Sequence, residues 1–537
     1  MTTSATRITI TREELTALLD QVRSRLTAGE YATIHALFDT LAHVVQLLDQ
    51  RTTTIRRLRQ LVFGARTEKT KDVLRRVGAS QSLGARTRAA SPHRGHGRHG
   101  ATAYAGAQTV TVSHASLHQG DHCPTCEHGR VYALPPTRIV CIVGHAPLSA
   151  TRWEIEKLRC HLCDQIFTAT PPPGTALVKY DPTAGSMIAV LKYGTGLPFY
   201  RLAGLQASLG VPLPASTQWG IVAALAVTIR PALTELIRQA AQGDVLHNDD
   251  TPMKILALSA PGAKTADAAA ASDARTGVFT SGIVSTRDGH RVALFFTGHR
   301  HAGENLAEVL AQRAAELCAP IQMCDALSRN VPTLPRPLAT IVANCLAHAR
   351  RHIVDVAPDF PEECRHVLEI LAQVYRVDAQ ARAQQLSPDD RLHLHQTYSG
   401  PLMDTLQVWL HAQFDEHRVE PNSSLGKAIQ YFMNHWPKLA RFLEVAGAPL
   451  DNNLVERALK RAILHRKNAL FYKTSNGAKV GDLFMSLVHT CDLNGADPFH
   501  YLTALQRHAD AVASSATSWL PWNYRDTLQQ LDAALAA

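Results

Sequence analysis

Val245-Leu-His-Asn-Asp-Asp-Thr-Pro252 opens as a short strand, residues 245–247, and sets two carboxylates, Asp249 and Asp250, where that strand ends. Similar runs recur through residues 243–345. Residues 277–285, 292–297, 321–324 and 340–343 are short and rich in apolar or β-branched side chains, the composition of half-buried or buried strands. Residues 303–316 read as a helix between the third and fourth of these five strands, and the Ala/Asp-rich stretch 262–275 as a loop between the first two. Residues 346–440 are mostly helical in pattern, and 451–466 form another helix.

Three strands, a helix and then alternating elements match a ribonuclease-H-like α/β core, here carrying an all-α insertion. Three acids stand out, two at strand ends and one on a facing helix. Asp249 lies in the first strand's His247-Asn-Asp-Asp-Thr-Pro252, and Asp325 follows the run 321–324. Glu456 lies in Asp451-Asn-Asn-Leu-Val-Glu-Arg-Ala-Leu-Lys-Arg461. That helix buries Leu454, Val455, Ala458, Leu459, Ala462 and Ile463. Asn453, Glu456 and Lys460 fall on its opposite face, at spacings of three and four, and Asp451 or Asn452 can cap its start. Any one of these acids alone reads as readily as a cap or a surface residue. Together they suit phosphodiester chemistry, which needs an activated nucleophile and stabilised charge on phosphate and leaving oxygen. Two Mg2+ ions roughly 3.5–4 Å apart supply both. Hard Mg2+, or Mn2+, prefers carboxylate oxygens and keeps positions open for water and phosphate.

Upstream, residues 30–63 contain neither Gly nor Pro. Ile34, Leu37, Leu41, Val44, Leu48, Arg51, Ile55, Leu58 and Val62 step by threes and fours, and all but Arg51 are apolar. This is a coiled-coil seam and points to self-association, although an amphipathic helix packed on its own chain has the same pattern. Residues 73–120 contain no Asp or Glu and carry Arg, His, Gly, Ser and Ala, which reads as a flexible basic linker that either lies along phosphates or is a solvated tether.

Cys123-Pro-Thr-Cys126 and Cys160-His-Leu-Cys163 supply four thiolates on two tight knuckles, the ligand set of a structural Zn2+ ribbon. A thioredoxin-like redox pair has no support elsewhere in the chain. Strand-like stretches lie between the pairs at 137–143 and 152–158. Helices at 184–193, 200–209 and 218–229, with a turn at 210–215, are compatible with a helix-turn-helix and equally with a plain bundle.

The net charge of +9 favours a polyanionic partner without proving one. No apolar run reaches the roughly 18 residues that span a bilayer, and the polar N-terminus lacks the apolar core of a signal peptide. The expectation is a soluble, cytoplasmic and nucleoid-associated protein that does not engage a membrane. A P-loop ATPase is disfavoured, because no Gly-x4-Gly-Lys-Ser/Thr motif is present.

Several ordered blocks resemble the transposases of the insertion sequence 66 family. They are Leu61-Val-Phe-Gly-Ala-Arg-Thr-Glu-Lys69, the two Cys pairs, Leu197-Pro-Phe-Tyr-Arg201, His247-Asn-Asp-Asp-Thr-Pro252 and Asn344-Cys-Leu-Ala-His-Ala-Arg-Arg351. Asp451-Asn-Asn-Leu-Val-Glu-Arg457, Arg466-Lys-Asn-Ala-Leu-Phe471 and Leu493-Asn-Gly-Ala-Asp-Pro498 continue the series. The resemblance implies an Asp-Asp-Glu enzyme that frees 3′-hydroxyls at element ends and joins them to target DNA. Asp249, Asp325 and Glu456 would be the catalytic, Mg2+-binding acids. Cys345 and His348 resemble a Cys-x-x-His motif with a positioning or structural role. Arg457, Arg461, Arg466, Lys467 and Asn468 would contact DNA. Homo-oligomers and small accessory proteins of the same element are implied partners. This chain departs from the family pattern in two places: Asp250 stands where the family usually has Glu, and Asp325 is followed by Ala326-Leu-Ser-Arg329 rather than Gly-Tyr. The alternative is a catalytically dead, zinc-containing DNA-binding protein.

The expected organisation is a helical, coiled-coil region at 1–80, the basic linker at 81–108, a zinc-binding domain at 109–172 and a helical segment at 173–235. The catalytic core would comprise 236–350 and 441–490, with the all-α insertion at 351–440 and a helical tail at 491–537.

Overall fold

The structure, a computed structural model, describes residues 178–259 and 277–536 throughout, with 115–122, 124–125, 128–134, 146–159, 166–172 and positions 31, 70, 73 and 111. The expected coiled-coil seam, the basic linker and all four cysteines of the paired motifs lie outside the described residues. The chain divides into two units, Met1–Leu83 and Gly84–Ala537, and the second holds all three candidate catalytic acids.

The centre of this second unit is a five-stranded sheet. Before it, among the described residues, come an antiparallel strand pair, β1 (Lys157–Arg159) with β2 (Ile166–Thr168), and four α-helices: α1 (Pro182–Ala189), α2 (Phe199–Ser208), α3 (Ala215–Thr228) and α4 (Arg230–Ala241). The sheet strands are β3 (Val245–Pro252), β4 (Phe279–Arg287), β5 (His290–Gly298), β6 (Ile321–Cys324) and β7 (Ile341–Asn344), in the order β5-β4-β3-β6-β7. The first three are antiparallel neighbours, and β3, β6 and β7 run parallel. Helix α5 (Ala302–Leu310) connects the two halves. After β7 come α6 (Leu346–Val356), α7 (Pro361–Ala383), α8 (Pro388–Tyr398), α9 (Gly400–Asp415) and α10 (Ser424–Leu439). The chain then returns to the sheet with α11 (Asn453–Ala469) and α12 (Ser475–Leu493), and ends in a helical tail.

The first strand is longer than its composition suggests. It runs on through Asp249 and Asp250 to Pro252, because β4 offers it eight consecutive partners, from Thr286 opposite Val245 to Phe279 opposite Pro252. Ladder pairing overrides the low strand propensity of Asn and Asp. The two acids therefore alternate in direction. The helix expected at 303–316 stops at Leu310, where the chain turns. There Arg313 donates to the carbonyls of Ala241 and Gly243, and Ala314 N–H to Gln242 Oε1, which fixes the turn on the junction of α4 and β3.

Helix α12 lies along the edge strand β5. Asp482, Ser486 and Thr490, one turn apart, accept the N–H groups of Thr297, Phe295 and Ala293 at 2.7, 3.0 and 3.1 Å. Side chains of a helix thus satisfy the outward donors that an edge strand would otherwise leave open. Asp482 is buried, and that burial raises its carboxyl to about 7 against the opposing effect of two hydrogen bonds from Thr297. Among the described residues no single helix is long and apolar enough to cross a membrane.

Candidate functional site

Because β3 and β6 are parallel neighbours, Asp249 late in β3 and Asp325 just beyond β6 come to the same end of the sheet. A buried amide lattice holds them there. Asn248 Nδ2 donates to the Asn330 carbonyl at 2.7 Å and Gln322 Nε2 donates to the same carbonyl at 2.8 Å. Gln322 Nε2 also reaches Asn248 Oδ1 at 2.9 Å. Asn330, itself fully buried, then donates from Nδ2 to Asp325 Oδ1 and, at 3.4 Å, to Asp249 Oδ1. One amide therefore touches both carboxylates.

Burial raises the Asp249 carboxyl to about 7. The Asp250 N–H donating to it at 2.8 Å works the other way, while the charges of Asp325, Glu456 and Asp250 push further upward. Asp325 and Glu456 are thus both close enough to Asp249 for their charges to be felt.

Glu456 stands in the first turn of α11, where the helix dipole favours an acid. The start of this helix is anchored differently from the expected cap. Asn452 occupies the cap position but makes no side-chain cap bond. Its Oδ1 meets His247 Nδ1 at 3.1 Å, its Nδ2 donates to Asn248 O at 3.0 Å, and its N–H donates to Cys345 Sγ at 3.1 Å. Asp451 takes over the capping, accepting Asn453 N–H at 3.2 Å. Val455, Ala458, Leu459 and Ala462 are buried where α11 packs on β3 and β4, and Leu454 and Ile463 only partly so.

His348 Nε2 lies 3.6 Å from Glu456 Oε1. Ligand atoms of Cys345, His348 and Glu456 all fall within 4.8 Å of one another, a set that could hold a metal ion. Cys345 is buried, which raises its thiol to about 12, and its sulfur already accepts a hydrogen bond. Among the described residues this is the set that closes to that distance, and Asp249, Asp325 and Glu456 do not; a hard divalent cation nonetheless prefers carboxylate oxygens to a thiol. Burial is the main cause of the raised Asp249 carboxyl, and the charges of Asp325, Glu456 and Asp250 add to it.

Asp250 points to the other face. It accepts Ala302 N–H at 3.1 Å and Ser281 Oγ–H at 2.7 Å, and contacts His301 Nδ1 at 3.0 Å. It ties the start of α5 to the sheet.

The basic residues of α11 separate into two groups. Arg461 donates to Gly194 O and His489 Nδ1 and pairs with Asp492. Arg466 donates to Thr251 Oγ1 and Pro252 O, and Asn468 to Gly196 O. These three, expected as DNA contacts, are engaged inside the protein. Arg457 and Lys467 are exposed. Lys460, absent from the expected contact set, is exposed between them. Also missed were Asn248, Gln322 and Asn330, whose only sequence signal is amide side chains close to the acids.

Near the paired cysteines, described residues flank each pair in antiparallel register. His122 bridges Arg130, and Lys157–Arg159 pairs with Ile166–Thr168. Only the end of the expected strand at 152–158 is in β1.

Among known proteins, the family model described as Transposase IS66 family matches residues 178–480, more than half of the chain. The uncharacterized protein y4jD of Sinorhizobium fredii is 28% identical over 390 residues, covering 68% of this chain and 71% of the relative. The uncharacterized protein y4hP of the same organism is 24% identical over 440 residues, covering 74% and 75% respectively.

Proposed function

Because this chain belongs to the IS66 family of transposases, we propose that it cleaves insertion-sequence ends and joins the freed 3′-hydroxyls to target DNA by transesterification at Asp249, Asp325 and Glu456. The sheet order and the helices packed on it support a ribonuclease-H-like core with an all-α insertion from α6 to α10. The observation that carries the reading is the Asn330 amide joining Asp249 to Asp325, with Glu456 near enough to raise the Asp249 carboxyl.

Asp249, Asp325 and Glu456 would hold Mg2+ or Mn2+, which when bound activates the attacking oxygen and stabilises charge on the leaving one. The chain's own part is to hold the Asp249 and Asp325 carboxylates on one amide, with Glu456 near enough for its charge to reach Asp249, before DNA arrives. Asn330 orients the two aspartates from one side. Asn452 fixes the helix start that sets Glu456, and His348 Nε2 stands 3.6 Å from Glu456 Oε1, beyond hydrogen-bond reach. Cys345 contributes by accepting the Asn452 N–H rather than by reacting. Arg457 and Lys467, with Lys460, would meet the DNA backbone.

Cys123, Cys126, Cys160 and Cys163 would bind structural Zn2+, and the antiparallel pairings of His122 with Arg130 and of β1 with β2 suit two knuckles. The seam at 34–62 would mediate self-association, and small accessory proteins of the element remain candidate partners.

The test is product analysis with Mg2+ and a DNA carrying the element's ends. Joined molecules distinguish a transposase from a hydrolytic nuclease. An Asp325→Ala protein that joins DNA as well as the wild type would refute the second acid. Binding without any chemistry in the wild type would favour the catalytically dead DNA-binding protein.

A further inference from the structure

Four described residues other than glycine have positive φ: Asp288 at 50°, Gln385 at 52°, His417 at 56° and Leu470 at 68°. The first three are polar residues in turns. Leu470 is the apolar one, and a bulky residue with φ above zero is a conformational outlier. Its ψ of −41° places it outside the usual left-handed helical well. Strain of this kind persists where the surrounding structure enforces it, and such sites cluster where function needs them. Packing of the side chain does not offset the strain, because Leu470 is 64% exposed.

The backbone around it is firmly held. Leu470 N–H donates to Arg466 O, closing α11, and Tyr472 N–H donates to Lys254 O just beyond β3. Leu256 N–H donates to Tyr472 O, and Ile255 bridges Tyr472. Arg466 clamps the last turn of α11 to Thr251 and Pro252. The result is a rigid corner that presents Leu470 and Phe471 to solvent, with Leu256 beside them.

The surroundings are basic. No acidic residue occurs between Glu456 and Asp482, while that stretch carries Arg457, Lys460, Lys467, Lys473 and Lys479 in addition to the two internally engaged arginines. Arg457, Lys460 and Lys467 are exposed at helical spacing along α11, and Lys254 and Lys473 are exposed at the corner itself. An exposed apolar corner flanked by exposed lysines is complementary to a polyanion with apolar faces between its charges. A base step of DNA has that chemistry.

We propose that Leu470 and Phe471 form a wedge that unstacks a base step of the element-end DNA tracking along α11 from Glu456. The proposal rests on the reading of this chain as a DNA-processing transposase. Leu470 stands fourteen positions beyond Glu456, about 21 Å of helix. That corresponds to about six base steps from the reacting phosphate.

The test uses the full chain without added divalent cation, so that no cleavage occurs. A duplex of the element end carries 2-aminopurine at successive positions, and its fluorescence rises where stacking is lost. The wild type should give a several-fold rise centred about six steps from the cleaved end. Leu470→Gly should lower that rise at least twofold while melting at or above the wild-type temperature, since glycine takes the positive φ without strain. Phe471→Ala should lower it in the same direction. Wild-type binding with no rise at any position, or an unchanged rise in the Leu470→Gly, Phe471→Ala double variant, overturns the wedge and leaves the functional reading standing. No DNA binding by the wild type overturns both.

Discussion

Gly282 of β4 lies so close to Leu459 of α11 that a methyl group added at the glycine would stand 2.9 Å from the leucine Cδ2 and 3.0 Å from its Cγ. Gly282 is also the residue directly opposite Asp249 in the β3–β4 ladder. The missing side chain lets the Glu456 helix settle onto the sheet beside the first aspartate. Gly282→Ala should push α11 outward, costing about 1–3 kcal/mol by overpacking and lowering DNA joining by at least about tenfold through misplacement of Glu456. Leu459→Ala in the same chain should return part of the activity. Joining rates for the two single variants and the double test this, and strict additivity would contradict it.

Asp249 gives a pH dependence with a defined sign. Its carboxyl ionises near the ordinary 3.8 when unfolded and at about 7 when folded. The folded chain therefore binds this proton more tightly, and stability is lost as pH rises from about 4 to 7. Without added divalent cation, Asp249→Asn should stabilise the protein by on the order of 2–4 kcal/mol at pH 8 and leave it unchanged near pH 4. Thermal melts of both proteins across that range decide the point, and parallel curves would count against a buried Asp249 carboxyl with a raised pKa.

Replacing basic residues of α11 should separate two effects. Arg457→Gln and Lys460→Gln should each reduce the salt slope of DNA binding by about 1 and leave the melting temperature unchanged. Arg461→Gln should instead lower the melting temperature, because its guanidinium joins Gly194, His489 and Asp492. Equal salt-slope losses in all three would mean that Arg461 leaves its partners to bind DNA.

The paired cysteines make a metal-content prediction. The purified chain should carry one Zn2+ at this motif, and Cys123→Ser should abolish or sharply weaken its binding. Unchanged zinc content in the variant would rule out the ribbon.

The strand runs at 245–247 and 321–324, the acids that follow them and the helix bearing Glu456 were legible because each is a local pattern of a few residues. The reach of β3 to Pro252 was not, since it depends on a partner strand that begins only at Phe279 rather than on Asp and Asn themselves. Asn330 was invisible for a similar reason: only the fold brings its amide to Asp249. The basic residues around Arg466 show the opposite limit. Composition identifies a charged helix, but only tertiary contacts separate Arg461 and Arg466, engaged inside the protein, from Arg457 and Lys467 on its surface.

The most direct test of the catalytic assignment is Mg2+-dependent cleavage and joining of DNA carrying the element's ends, comparing wild type with Glu456→Gln. The account predicts cut and joined products from the wild type and none from the variant, with DNA binding equal in the two. Joining by Glu456→Gln at the wild-type rate would contradict it.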